Sequence, residues 1–178
     1  MLALTKHRIA AFFIDYVIIS GYILLLVLVG IVIYRSSLGD KFTRLATSTL
    51  QMDVLIFVTT VLPVGLYFTI FEAQPRNGTP GKKRMKLKVV SIEESEGLSY
   101  SRVAIRNGLK LLPWQIAHMS LIRIPGWPLD IQDPSPWVVA GLIAVWVLVI
   151  GYVISIFMSR GQRAIYDVAA GVKIVSEE

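Results

Sequence analysis

KHRIAAFFIDYVIISGYILLLVLVGIVIY, residues 6–34, runs from a basic cluster into nineteen residues without a charge, Tyr16 to Tyr34. At 1.5 Å per residue those nineteen cover about 28 Å of helix, close to the roughly 30 Å of a bilayer's hydrocarbon. One carboxylate, Asp15, stands at the head of the run. A charged group inside hydrocarbon costs several kcal/mol, so Asp15 is shallow, paired or used.

The rest of the chain follows the same pattern. Its 178 residues are 54% hydrophobic and 17% charged, with a mean hydropathy of +0.64, more apolar than a water-soluble domain of this size. Val54–Phe71 and Trp137–Met158 are two further uncharged runs. The first run exceeds the usual 7–15 residues of a signal-peptide core and is followed by no small-x-small site, so it is expected to remain. The fold class expected is all-α: one domain over 1–178, a polytopic transmembrane bundle with spans near 9–34, 54–72, 108–129 and 137–158, a basic cytoplasmic loop over 73–107, and a small β-like element in that loop. The span at 108–129 is the weak one, because LLPWQIAHMSLI offers only 12 uncharged residues between Lys110 and Arg123. Four crossings are favoured over three, since four leave the basic residues overwhelmingly on one side.

That count also orients the chain. Nine of the 18 Lys and Arg fall between the second span and the next apolar segment: Arg76, Lys82, Lys83, Arg84, Lys86, Lys88, Arg102, Arg106 and Lys110. Positive charge collects in cytoplasmic loops, which puts this loop and both termini inside, and Arg35, Lys41 and Arg44 outside. A net charge of +6 concentrated there speaks for anionic lipid headgroups and not for nucleic acid. Lys82, Lys83, Arg84, Arg102 and Lys110 are the candidate lipid contacts. Arg102, Arg106 and Lys110 recur every four residues, on one helical face that meets either lipid or an anionic ligand. Within the loop, KLKVVSI at 86–92 alternates like a strand, EESEG is a polar turn, and GVKIV at 171–175 is a second β-like run able to pair with the first.

The candidate polar cluster is Arg8, Asp15, Asp167, Arg106 and Arg163. Arg8 and Asp15 share a helical face nearly two turns apart, too far to pair directly. Asp15 therefore needs a partner from another element, with Arg106, Lys110, Arg160 and Arg163 at the right depth. It is either an acid neutralised by such a cation or a proton- or ion-handling group. Arg163 and Asp167 have the i, i+4 spacing of a local ion pair. Pro63 predicts a break in the second span with the Thr59 carbonyl freed, either a tolerated kink or part of an ion path. Asp53 and Glu72 are expected at that span's two interfaces.

Other chemistries find no support. The chain has no cysteine and two histidines, without metal-site spacing, so neither metal nor other cofactor is expected. GTPGKK lacks the first glycine of a phosphate loop, position 76 being arginine, and no Ser or Thr follows Lys82. NGT at Asn77 would be a glycosylation acceptor on the wrong side. No hydrolytic triad assembles, and an enzyme is not expected.

Arg8, Asp15, TPGKK leading into KLKVV, RVAIRN and QRAIYDVAAGVKIV occur in an order that resembles the RDD family of bacterial membrane proteins, named for one arginine and two aspartates. Arg8 and Asp15 match the first two and Asp167 the last. Tyr166 departs from the histidine common before the final aspartate. The resemblance implies a multi-pass protein of the bacterial plasma membrane with a role in transport. Ion or small-solute transport on the Arg/Asp cluster is the reading, and a scaffold or accessory subunit binding lipid or a protein partner the alternative. Four short spans enclose little space, so transport would call for a homo-oligomer or another membrane protein.

Overall fold

The computed structural model describes residues 2–36, 48–74, 78–93, 97–127 and 130–177; Lys41, Arg44, Arg76, Asn77, the middle of EESEG and Leu129 lie outside them. Among the described residues three helices are long and apolar enough to cross a membrane: α1 (Leu2–Arg35), α2 (Thr49–Ala73) and, later in the chain, Pro136–Met158. Between them come a short helix α3 (Pro80–Arg84), strand β1 (Leu87–Ser91) and helix α4 (Tyr100–Leu121). The Pro136–Met158 helix is α5, and α6 (Ile165–Ala169) and β2 (Val172–Ser176) follow it.

α4 is not apolar enough to qualify alone, but it lies along α2 with an ion pair at each end. Arg106 meets Glu72 at 2.5 Å, and Arg123, just past α4, meets Asp53 at 2.6 Å. Asp53 to Glu72 rises about 28 Å and Arg106 to Arg123 about 26 Å, so α4 matches its neighbour's length. Asp53 and Glu72 thus lie near the two ends of α2, and both are buried by protein. Ile19, Val61, Val64, Phe68 and Leu111 make the apolar core shared by α1, α2 and α4.

Two prolines fall inside these helices, and each is repaired from a neighbour. Pro63 cannot donate to Thr59, the helix widens into a π turn over Phe57–Val61, and the Tyr22 hydroxyl donates to the freed Thr59 carbonyl at 2.6 Å. Pro113 cannot donate to Leu109, whose carbonyl takes the Tyr152 hydroxyl at 2.7 Å. In hydrocarbon no water would otherwise satisfy either oxygen.

β1 and β2 pair antiparallel, with Leu87 opposite Ser176 and Ser91 opposite Val172. An isolated two-stranded ribbon is marginal in water. This one buries Leu87, Val89, Val172 and Ile174 with Ala170 against Ala11 of α1, and each of the four larger side chains contributes about 1.5–3 kcal/mol.

Candidate functional site

The ribbon and α6 fold back under α1, α2 and α4, which brings charged side chains from five helices into one buried chain of contacts. Arg8 on α1 donates to Asp167 on α6 at 2.5 Å, and also to the Gly161 carbonyl and the Tyr166 hydroxyl. Asp167 accepts from Arg106 Nε at 2.6 Å and from the Ala164 N–H at 2.7 Å, capping its own short helix. Arg106 in turn donates to Glu72, which Asn107 and the Lys82 ammonium also reach. Signs alternate along Arg8, Asp167, Arg106, Glu72 and Lys82, and none of the five is more than 7% exposed.

Local structure fixes these groups. Gly161 has φ +87° and lies so close to Thr5 that an added Cβ would come within 2.8 Å of the Thr5 nitrogen. Only glycine turns the chain there and aims its carbonyl at Arg8. The Tyr166 ring lies beneath both guanidiniums, 5.4 Å from Arg106 and 6.0 Å from Arg8. Its hydroxyl accepts from Arg8 where the histidine of the family pattern would stand. Burial by itself would raise the Asp167 carboxyl, and the Arg106 and Arg8 guanidiniums outweigh it, holding Asp167 below the usual carboxylate range. Burial pulls the Lys82 ammonium below its usual range despite the opposing Glu72 carboxylate.

Asp15 is placed differently from the expectation. No cation binds it within ion-pair distance among the described residues. Thr79 Oγ1 donates to it at 2.5 Å, the Gly81 N–H at 2.9 Å and the Tyr67 hydroxyl at 3.0 Å. Asp15 therefore clamps the TPG turn and α3 onto α1. The contact requires glycine, since a Cβ at 81 would stand 2.2 Å from the Ala11 carbonyl oxygen. A backbone donor was the partner that side-chain arithmetic could not find.

The structure joins Arg8, Asp167 and Arg106, sets Asp15 in its own pocket beside them, and leaves Arg163 exposed. The local Arg163–Asp167 pair does not form, because α6 begins after Arg163 and Asp167 turns inward to cap it. Two of the five candidate lipid contacts also turn inward. Lys82 is buried on Glu72, and the Lys110 ammonium sits 3.2 Å over the Phe68 ring. Arg102 reaches Ser91 and Glu93, tying α4 to the ribbon. Lys83 and Arg84 stay nearer the surface. The four-residue basic stripe thus faces protein, because Glu72 and Phe68 stand opposite it. Glu72, Lys82, Asn107, Thr79 and Tyr166 were missed as partners. An acid closing a span opposite a basic helical face was the signal available for Glu72.

A cavity of about 430 Å³ opens between α1, α2, α4 and α5, with Arg8, Asp15, Lys82 and Lys110 in its lining. Among the described residues no group of three His, Asp or Glu is placed to hold a metal.

The family model described as RDD family matches residues 2–171, a range that takes in the whole network and Asp15. No curated protein and no solved structure matches the chain.

Proposed function

The chain belongs to the RDD family, and on that premise we propose that this multi-pass membrane protein is a carrier for a small anionic solute. The cavity is the observation that carries the reading: it lies among helices apolar enough to span, with the side chains of Arg8, Asp15, Lys82 and Lys110 on its wall. The network closes the bundle beneath it. Arg8, Lys82 and Lys110 outnumber Asp15 on its wall, which favours an anion over the cation–proton exchange that a free Asp15 would suggest. Asp15 lines the cavity and holds α3, so it is placed to couple occupancy to the cytoplasmic loop.

We place four crossings in a bacterial plasma membrane, both termini in the cytoplasm, because α4 runs nearly the length of α2 and the basic residues gather at the network end. A pathway across the whole bilayer would be completed by a second copy of the chain. An accessory role is favoured by one observation: both Asp15 oxygens are already occupied, as in a tether.

Phosphatidylcholine proteoliposomes test the carrier reading. Uptake of radiolabelled inorganic phosphate and of octyl phosphate is measured against empty liposomes. Uptake of at least one, lost in Lys110→Gln, is the expected result. Wild-type vesicles indistinguishable from empty ones with both anions would leave the accessory role.

A further inference from the structure

Lys110 sits one helical turn beyond Arg106 toward the middle of α4. Its ammonium lies on the Phe68 ring, and no carboxylate of the described residues comes within 4.0 Å of it. A lone ammonium at that depth either gives up its proton or takes an anion. The surrounding charges do not supply one. Arg8, Lys82, Arg106 and Lys110 are four cations, against the three carboxylates Asp15, Glu72 and Asp167. Glu72 and Asp167 are each shared between two of the other cations, and Asp15 is filled by Thr79, Gly81 and Tyr67. With Lys110 protonated, one positive charge is left over, on the cavity wall.

The opposite wall is apolar and reaches the outside. Phe12 and Tyr16 of α1 and Val153 of α5 line the cavity and are also 51%, 44% and 46% exposed. Those two helices present their apolar faces outward, so the cavity opens sideways toward lipid tails. Its volume falls within the roughly 300–1,000 Å³ of ligand pockets. An occupant that satisfies every wall is anionic at one end, apolar along the rest, and arrives from within the membrane.

We infer that the cavity takes an anionic phospholipid from the leaflet on the network side, its phosphate on Lys110 and part of one acyl chain along Phe12, Tyr16 and Val153. The inference rests on reading the cavity as a binding site and names its occupant. A free phosphate would meet the charge and leave the apolar wall bare; a zwitterionic lipid would fill the wall and bring no net charge to Lys110.

The test is the melting temperature of the full-length protein in a neutral detergent, with phosphatidylglycerol, phosphatidylcholine or inorganic phosphate added. Saturating phosphatidylglycerol is expected to raise it by about 5–10 °C, through selective binding to the folded state. Phosphatidylcholine and phosphate should raise it far less. Lys110→Gln should abolish the rise, while Lys110→Arg and Lys83→Gln keep it. Should Lys110→Gln fail to fold, Val153→Trp, which fills the chain slot from a lipid-facing position, must weaken phosphatidylglycerol at least tenfold. An equal rise with phosphatidylcholine, an equal rise with phosphate, or an undiminished rise in Lys110→Gln or Val153→Trp overturns the lipid occupant. A phosphatidylglycerol shift without uptake in the vesicle assay overturns the carrier alone; uptake without the shift overturns the lipid alone.

Discussion

Replacing Glu72 by glutamine should cost more than replacing Arg106 by glutamine, although the two side chains bond each other. Glu72 is 0% exposed and holds Lys82 and Arg106 together. Without its charge, Lys82 keeps no carboxylate within ion-pair distance among the described residues, and the cationic surplus rises from one to two. Stranding a buried charge in this way costs about 3–5 kcal/mol. Removing Arg106 leaves two matched pairs, Arg8 with Asp167 and Lys82 with Glu72, so the loss is nearer the ~1.5–3 kcal/mol of hydrogen bonds to charged groups. For a chain of this length 1 kcal/mol corresponds to about 2–4 °C, so Glu72→Gln should melt about 6–20 °C below wild type. Thermal melting in detergent, followed by size-exclusion fluorescence, reads both variants. Adding Lys82→Met to Glu72→Gln should restore part of the loss, because it removes the stranded cation. A Glu72→Gln protein within about 3 °C of wild type, or a further loss on adding Lys82→Met, would refute the charge accounting.

Three other outcomes follow from the same contacts. Asp167 is held below the usual carboxylate range, so its contribution is complete above pH ~4 and is lost as pH falls through its folded-state value; wild type should lose melting temperature on acidification more steeply than Asp167→Asn. Tyr152→Phe strands the Leu109 carbonyl and should cost about 1–3 kcal/mol, which Pro113→Ala in the same chain regains by restoring the helical N–H; equal melting of single and double variants would contradict the repair. The native chain has no cysteine, so Lys6→Cys and Gln132→Cys can be labelled singly in cells; an impermeant maleimide should reach position 132 and not position 6.

Hydropathy made the spans legible because lipid demands long uncharged runs whatever their neighbours, and the window in α5 indeed buries none of its residues inside the protein. The ribbon was legible from alternation, and the freed Thr59 carbonyl from Pro63. Partner choice was not. Four-residue spacing correctly aligned Arg102, Arg106 and Lys110, but spacing says nothing about what a face meets. Lys82 sits in a basic run that reads as surface, and only the fold reveals that Thr79 and Gly81 carry it inward beside Glu72. Asp15 was readable as needing a partner, but its donors include a backbone N–H, which has no letter of its own.

Asp167 is made 159 residues after Arg8 and 61 after Arg106. A growing polypeptide therefore threads α1 into the bilayer with the Arg8 guanidinium awaiting an acid still to be translated, whereas Arg106 already has Glu72. A chain ending before residue 167 would lack the acid on which Arg8 closes the bundle.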